Sequence, residues 1–344
     1  MRGAYLVDAY ISDLVKEREI PGAVLIVQQQ ERRLFSGSYG AYTAEDGSEQ
    51  AILSHTLFDL ASLTKVVATL PAILLLISRN QVNITDSIRT FLPDFKYPLI
   101  TIQHLLQHCS GLPADLTPAV KRHHKRDILQ EVLASNVVCQ PNEQVQYSDL
   151  GMIILGKVIE KVTGISLKSF VEQEVFKPWG MHHTCFQLPE HTRRLAASTE
   201  MVAGQFVQGI VHDEKALLLD GIAGSAGLFS CAEDLAKYAE IWLGIKQQTV
   251  IPYEEIELAY TKTFKTRGLG FEVWGGDKTS FCFGRRWSKG SFGHTGFTGT
   301  SIWMDPVKQA FVILLTNAVH YGRNTNMRRI REKLHTMIYE KLLI

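Results

Sequence analysis

Two kinds of apolar pattern divide the chain. Near the start, Pro21 to Gln30 (PGAVLIVQQQ) and Arg33 to Gly40 are β-rich runs separated by a short polar turn, which predicts a hairpin following an N-terminal helix. The last third repeats that character: Leu269 to Val273, Ser280 to Phe283, Thr300 to Met304 and Phe311 to Leu315 are short strand-like runs broken by glycine-rich turns. Asn324 to Leu343 then carries helical periodicity. Between these ends the pattern is mainly helical. Asp149 can cap a helix with apolar positions Met152, Ile153, Leu155, Ile159 and Val162, closed by Gly164. Ser166 starts another with Leu167, Phe170 and Val171, and Ser230-Cys231-Ala232-Glu233 reads as a capping box before Leu235 and Tyr238. The segment SLTKVVATLPAILLLI, beginning at Ser62, is apolar on nearly every face and predicts a central buried helix. The expected class is therefore α+β: an antiparallel sheet built from both chain ends and flanked by helices. Residues 1–60 and 245–344 form the sheet domain and residues 61–244 an inserted, mainly helical domain, with the active site between them.

Composition narrows the functional classes. Of 344 residues, 45% are hydrophobic, ordinary for a chain that buries a core, and 36 Lys and Arg nearly balance 35 Asp and Glu. No global field draws in nucleic acid or an anionic membrane, so a small molecule or short peptide is the expected substrate. The greasiest stretch, Leu70 to Ile77, contains Pro71 and is far shorter than the ~20 residues a membrane span needs, so no span is expected. The first residues lack the apolar core and cleavage site of a secretory signal, which predicts a cytoplasmic protein unless a leader was removed. The five cysteines are widely spread and form no C-x-x-C pair, and the doublets His123-His124 and His182-His183 point their neighbours in different directions. Neither a metal nor another cofactor is expected.

Three clusters carry chemistry. Ser62 and Lys65 stand three residues apart, on one face of a first helical turn, where unpaired backbone N–H groups favour developing negative charge. A serine hydroxyl needs a base, and a lysine serves as one only if its surroundings lower its pKa. S-x-x-K alone is a common spacing; the hydrophobic run that follows makes Lys65 hard to leave in water and so directs it to a cleft or a buried partner. Tyr147-Ser148-Asp149 offers a phenol as acid or base beside an ammonium such as Lys65, or else a simple cap and packing residue. Phe292-Gly293-His294-Thr295-Gly296-Phe297-Thr298-Gly299-Thr300 is a glycine-rich strand with one imidazole and several hydroxyls, suited to close approach of a ligand, or else a bulged hairpin.

In this order the three clusters resemble the serine β-lactamase and penicillin-binding-protein superfamily, in its branch of class C β-lactamases, D-aminopeptidases, D,D-carboxypeptidases and esterases, whose motifs are S-x-x-K, Y-x-N or a variant, and K-T-G or H-x-G. The resemblance extends through Phe58 to Lys65, Leu105 to Pro113, Tyr147 to Gly156 and Ala226 to Ser230. It implies a β-lactamase/transpeptidase-like fold and a serine hydrolase that forms an acyl-enzyme at Ser62. The implied substrate is a D-amino-acid peptide, amide or ester, with β-lactams as covalent inhibitors. Alternatives are a β-lactamase proper and a penicillin-recognising sensor without turnover. By the same resemblance Lys65, Tyr147 and His294 are catalytic with Ser62, and the N–H groups of Ser62 and Phe297 form the oxyanion hole. Asp149, Thr295 and Gly296 bind substrate, and the His108 to Pro113 turn is structural.

Two positions depart from the pattern. His294 stands where K-T-G has lysine, exchanging a fixed positive charge for an imidazole charged only in part near pH 7, which argues against strong β-lactamase activity. Asp149 stands where Y-x-N has asparagine; aimed into the cleft, it would disfavour acidic substrates. Arg285, Arg286 and Lys289, just before the His294 strand, either restore positive charge at the mouth or form a solvated turn.

Overall fold

The computed structural model describes residues 2–276 and 282–343. Its organising element is a seven-stranded antiparallel sheet. The strands are β1 (Gly22–Gln29), β2 (Arg32–Thr43), β3 (Glu49–Ala51), β4 (Glu272–Val273), β5 (Phe292–Thr295), β6 (Ser301–Asp305) and β7 (Ala310–Thr316), in spatial order β3-β2-β1-β7-β6-β5-β4. The chain ends meet at β1 and β7, where Val24 faces Leu315 and Ile26 faces Ile313.

β1 reads as one apolar run because both of its faces are covered, and side chains alternate between them. Val24 and Ile26 enter the large core shared with the helices of the middle of the chain. Ala23, Leu25 and Val27 enter a second core under α1 (Arg2–Lys16) and the C-terminal helix, Met327–Lys341, with Val7, Ile11, Leu334 and Ile338. The α+β class read from the pattern is the class observed.

Several boundaries differ. The strand read from Leu269 is reduced to Glu272–Val273, since Leu269 and Gly270 are held in a turn by bonds to Ala259 and Leu106 carbonyls. Of the strand read at Ser280 to Phe283, Ser280 and Phe281 lie outside the described residues, and Cys282 and Phe283 form a turn. The helix Ala232–Trp242 starts after Cys231, not Ser230; the Ser230 hydroxyl is buried and shares a 2.7 Å bond with Thr184.

The run after Ser62 is not one regular helix. A 3-10 turn (Ala61–Leu63) leads into a π turn (Lys65–Thr69) and then α2 (Leu70–Ser78), all buried apart from Ser62 and the last residues. Pro71 leaves a gap in the hydrogen-bond ladder of this turn. In the i→i+5 pattern set by Leu70 N–H donating to Lys65 O, the next donor belongs to Pro71, which has none. The stranded Val66 carbonyl accepts instead from Tyr238 Oη at 2.7 Å. A helix of this length and hydropathy passes a composition test for spanning a membrane, but 83% of it is buried inside the protein, as a core helix is.

Candidate active site

Ala61, just before Ser62, is non-glycine with φ of +46°, a conformation that costs energy and turns the chain sharply into the 3-10 turn. Side-chain bonds hold it there. Buried Asp59 accepts from Ala61 N–H at 2.8 Å and from His212 N–H at 2.6 Å, and Thr64 Oγ1 donates to Ala61 O at 2.7 Å. The loop after β5 is stapled to the same turn: Thr298 Oγ1 donates to Asp59 O at 2.7 Å and Thr300 Oγ1 to Leu60 O at 3.2 Å. Gly296 lies so close that a Cβ there would meet Leu60 O at 2.5 Å. Strand and nucleophile turn are thus in backbone contact.

Lys65 Nζ donates to Ser62 Oγ at 2.8 Å and to Ser225 O at 2.9 Å, and lies 2.8 Å from Asp149 Oδ1. It is wholly buried, and 5.2 Å from the centre of the Tyr147 ring. Burial works against its charge, but the Asp149 carboxylate and Tyr147 outweigh burial, and its pKa is raised. The condition for Lys65 to serve as the base, a lowered pKa, is not met: a carboxylate at ion-pair distance favours the ammonium.

Asp149 was expected to cap its helix and to bind substrate. Ser148 is the N-cap of α3 (Asp149–Thr163), with no side-chain cap bond, and the Asp149 carboxylate is occupied between two lysines, Lys65 at Oδ1 and Lys215 at Oδ2, 3.3 Å away. Burial raises its pKa, yet the two ammonium groups prevail and hold it at about 2. The Asp149 side chain is 18% exposed, and its carboxylate is engaged by the two lysines.

Tyr147 sits on the loop before α3, its ring between two histidines: centroids lie 4.5 Å from His108 and 5.9 Å from His294. His108 also accepts from Ser148 N–H through Nδ1, at 3.2 Å. The turn bearing His108 packs against the tyrosine and bonds the residue after it. His294 is corrected in one respect. Burial first, then the charges of Lys65 and Arg267, lower its pKa to about 3, so the ring is neutral at pH 7. With Nδ1 against Thr295 O at 2.8 Å the proton is assigned to Nδ1, which leaves Nε2 a lone-pair acceptor without a partner among the described residues.

The cleft has a volume of about 400 Å3, and its wall includes Ser62, Tyr147, His294, Thr295, Gly296 and Phe297. Neither Ser62 N–H nor Phe297 N–H donates to another group among the described residues, as an oxyanion hole requires. Arg267, Glu272, Arg328 and Arg331, none of them singled out in the sequence, line the same cleft. Arg331 is buried, donating to Gly296 O and Thr300 O, whereas Arg267 and Arg328 form no ion pair among the described residues. Arg286 pairs with Glu340, and Arg285, Arg286 and Lys289 are not among the lining residues, so the positive charge of the cleft comes from other positions. Lys215, Asp115 and Asp213 were also missed. Nothing local marks them, because each becomes informative only beside Asp149.

A family model described as Beta-lactamase matches residues 7–336. Among curated relatives, an N-acetylmuramyl-L-alanine amidase of Bacillus subtilis is 32% identical, over 90% of this chain and 80% of its own length. A putative D-alanyl-D-alanine carboxypeptidase of Escherichia coli K12 is 30% identical, over 91% of this chain and 82% of its own. Among solved structures, EstCE1, a hydrolase with promiscuous acyltransferase activity, superposes with a TM-score of 0.79 at 20% identity, covering 98% of both chains. Simvastatin synthase of Aspergillus terreus gives 0.76 at 20% identity, again covering 98% of both. At such identities the structures speak for the fold.

Proposed function

The chain belongs to the beta-lactamase family and is a serine hydrolase, and on that footing we propose that it hydrolyses amide or ester bonds of D-amino-acid peptides bearing a free carboxylate. Its substrates are small molecules or peptides. The observation that carries the mechanism is the 2.8 Å approach of Lys65 Nζ to Ser62 Oγ under the hold of Asp149. An ammonium cannot take the serine proton, which supports Tyr147 as the base and Lys65 as the charge beside it.

In this mechanism Tyr147 acts as the phenolate, its own proton released to solvent before the attack. Ser62 Oγ attacks the carbonyl carbon, its proton passes to Tyr147 Oη, and the carbonyl oxygen gains charge facing the N–H groups of Ser62 and Phe297. Tyr147 then hands the proton to the leaving nitrogen or oxygen as the C–N or C–O bond breaks. Water attacks the acyl-Ser62 ester, giving its proton to Tyr147, and the serine leaves with that proton restored. Losing one oxyanion donor costs about 2.7–4 kcal/mol of barrier.

The carboxylate preference is supported by Arg267 and Arg328, cations in the cleft wall that feel Glu272 of the same wall but stand outside ion-pair distance of it, so that with Arg331 the lining carries more positive than negative charge. The amidase and carboxypeptidase names of the relatives support a peptide. Neutral His294 supports poor turnover of β-lactams, which remain acylating inhibitors. The test compares a diacetyl-L-lysyl-D-alanyl-D-alanine peptide with its C-terminal amide, alongside nitrocefin and mass mapping of a fluorophosphonate adduct. We expect labelling at Ser62, turnover of the free acid at least tenfold above the amide, and loss of that preference in Arg267→Leu. Equal rates for acid and amide would sink the carboxylate reading, and absence of any Ser62 adduct would sink the acyl-enzyme.

A further inference from the structure

Beyond the cleft wall, one buried ammonium ties together three chain segments. Lys215 is 4% exposed, and its Nζ lies 3.0 Å from Asp115 Oδ2, 3.3 Å from Asp149 Oδ2 and 3.3 Å from Asp213 Oδ2. Each of these segments has its own anchor. Asp213 caps the short helix Glu214–Leu218 by accepting from Ala216 N–H at 2.8 Å, and Asp149 N–H donates to Ala114 O at 3.2 Å, beside Asp115. Lys215 therefore meets Asp149 from a fixed frame.

We propose that Lys215 is a positioning residue for the reaction: its ammonium fixes the Asp149 carboxylate, so that this carboxylate in turn holds Lys65 Nζ against Ser62 Oγ. The proposal deepens the acylation of Ser62 set out above and rests on it. Asp149 has two oxygens and two cations, one for each. Without Lys215, Oδ2 would have no cation beside it and two further carboxylates nearby, Asp115 and Asp213, while Oδ1 stays buried against Lys65. The carboxylate would then turn toward solvent or take a proton, and either change releases Lys65. An asparagine at 149 needs no second lysine, since an amide carries no charge to be balanced; Asp149 and Lys215 together do by ion pairing what an amide does by hydrogen bonding.

The titratable and charged groups around this pair are Lys65, Tyr147, Asp115 and Asp213 in contact, with His108, His294 and Arg267 acting on the same cluster from the facing elements. The carboxylate that two cations hold ionised takes its proton at higher pH when one of them is removed. The acid limb of activity then moves upward.

The experiment is a mutant cycle read by kcat, KM and pH profile on p-nitrophenyl acetate, with circular dichroism for folding. We expect Lys215→Met to lower kcat/KM at least tenfold, chiefly through kcat, and to raise the acid limb by a pH unit or more. Lys215→Arg should keep the acid limb in place. In an Asp149→Asn background, adding Lys215→Met should change kcat/KM by less than twofold. That double substitution removes one charge of each sign, so the buried cluster keeps its net charge even if Lys215→Met alone fails to fold. A wild-type rate and acid limb in Lys215→Met, or a further tenfold loss on adding it to Asp149→Asn, overturns the proposal. Ser62→Ala, run in parallel, reports separately on the acyl-enzyme: residual turnover there would fault that reading and not the role of Lys215.

Discussion

Gly296 is where the sheet touches the nucleophile, and replacing it by alanine tests whether that contact sets the rate. A Cβ at 296 would lie 2.5 Å from Leu60 O and closer still to Thr300 Oγ1. Neither neighbour can turn away easily. Leu60 O is backbone, two residues before Ser62, and it already accepts from Thr300 Oγ1 at 3.2 Å. Against ordinary van der Waals contact at about 3.4 Å, strand and turn must part by about 0.9 Å. Overpacking of this kind costs about 1–3 kcal/mol of stability, while a misplacement of about 1 Å in a catalytic constellation costs on the order of 100-fold in rate. The displacement falls on the oxyanion site in particular, because Phe297 follows Gly296 and Ser62 follows the Leu60 turn. Acylation by p-nitrophenyl acetate and by a fluorescent penicillin should therefore slow about 100-fold in Gly296→Ala, with a folded far-ultraviolet spectrum. Gly275→Ala is the control, since a Cβ there meets nothing within 4 Å. If Gly296→Ala acylates within threefold of the parent protein, the contact between strand and turn does not set the geometry of attack.

Two other outcomes follow from buried groups. Tyr238→Phe removes the donor from the Val66 carbonyl that Pro71 cannot satisfy, and should lower unfolding free energy by about 1–2 kcal/mol; an unchanged urea midpoint would mean that the π turn finds another donor. Acid should destabilise the fold below neutrality. His294 and His335 have folded-state pKa values lowered to about 3, from 6.5, chiefly by burial, and His108 is lowered in the same way. The unfolded chain takes these protons near pH 6.5 and the folded chain does not until about 3, so stability is full above 6.5 and falls as pH drops through that window. At pH 5 each of His294 and His335 costs about 2 kcal/mol, and a thermal midpoint flat from pH 7.5 to 5 would show that these rings are protonated in the folded protein.

What was legible in the sequence had short-range causes. β1 and β7 announced themselves because strands covered on both faces read as continuous apolar runs, and Ser62 and Lys65 share a face because three residues of helix put them there. Pro71 was visible in a buried helix, but that it leaves the Val66 carbonyl to Tyr238 was not, because the donor comes from a distant helix. Asp149 was misread for a related reason. Beside an apolar run an aspartate suggests a cap; Ser148 is the N-cap instead, and two lysines from distant segments engage the Asp149 carboxylate.

The amino-acid sequence by itself therefore determined the α+β class, the serine with its neighbouring lysine, and the tyrosine and glycine-rich strand that resemble one superfamily, since each is written in periodicity or in spacings of a few residues. Only the tertiary structure decided which charges meet: that Lys65 stays an ammonium, that His294 is neutral, and that Arg267 and Arg328 stand in the cleft while Arg285, Arg286 and Lys289 do not line it. Charge states depend on what lies within a few ångströms in space, and burial magnifies each such neighbour by removing the water that would screen it.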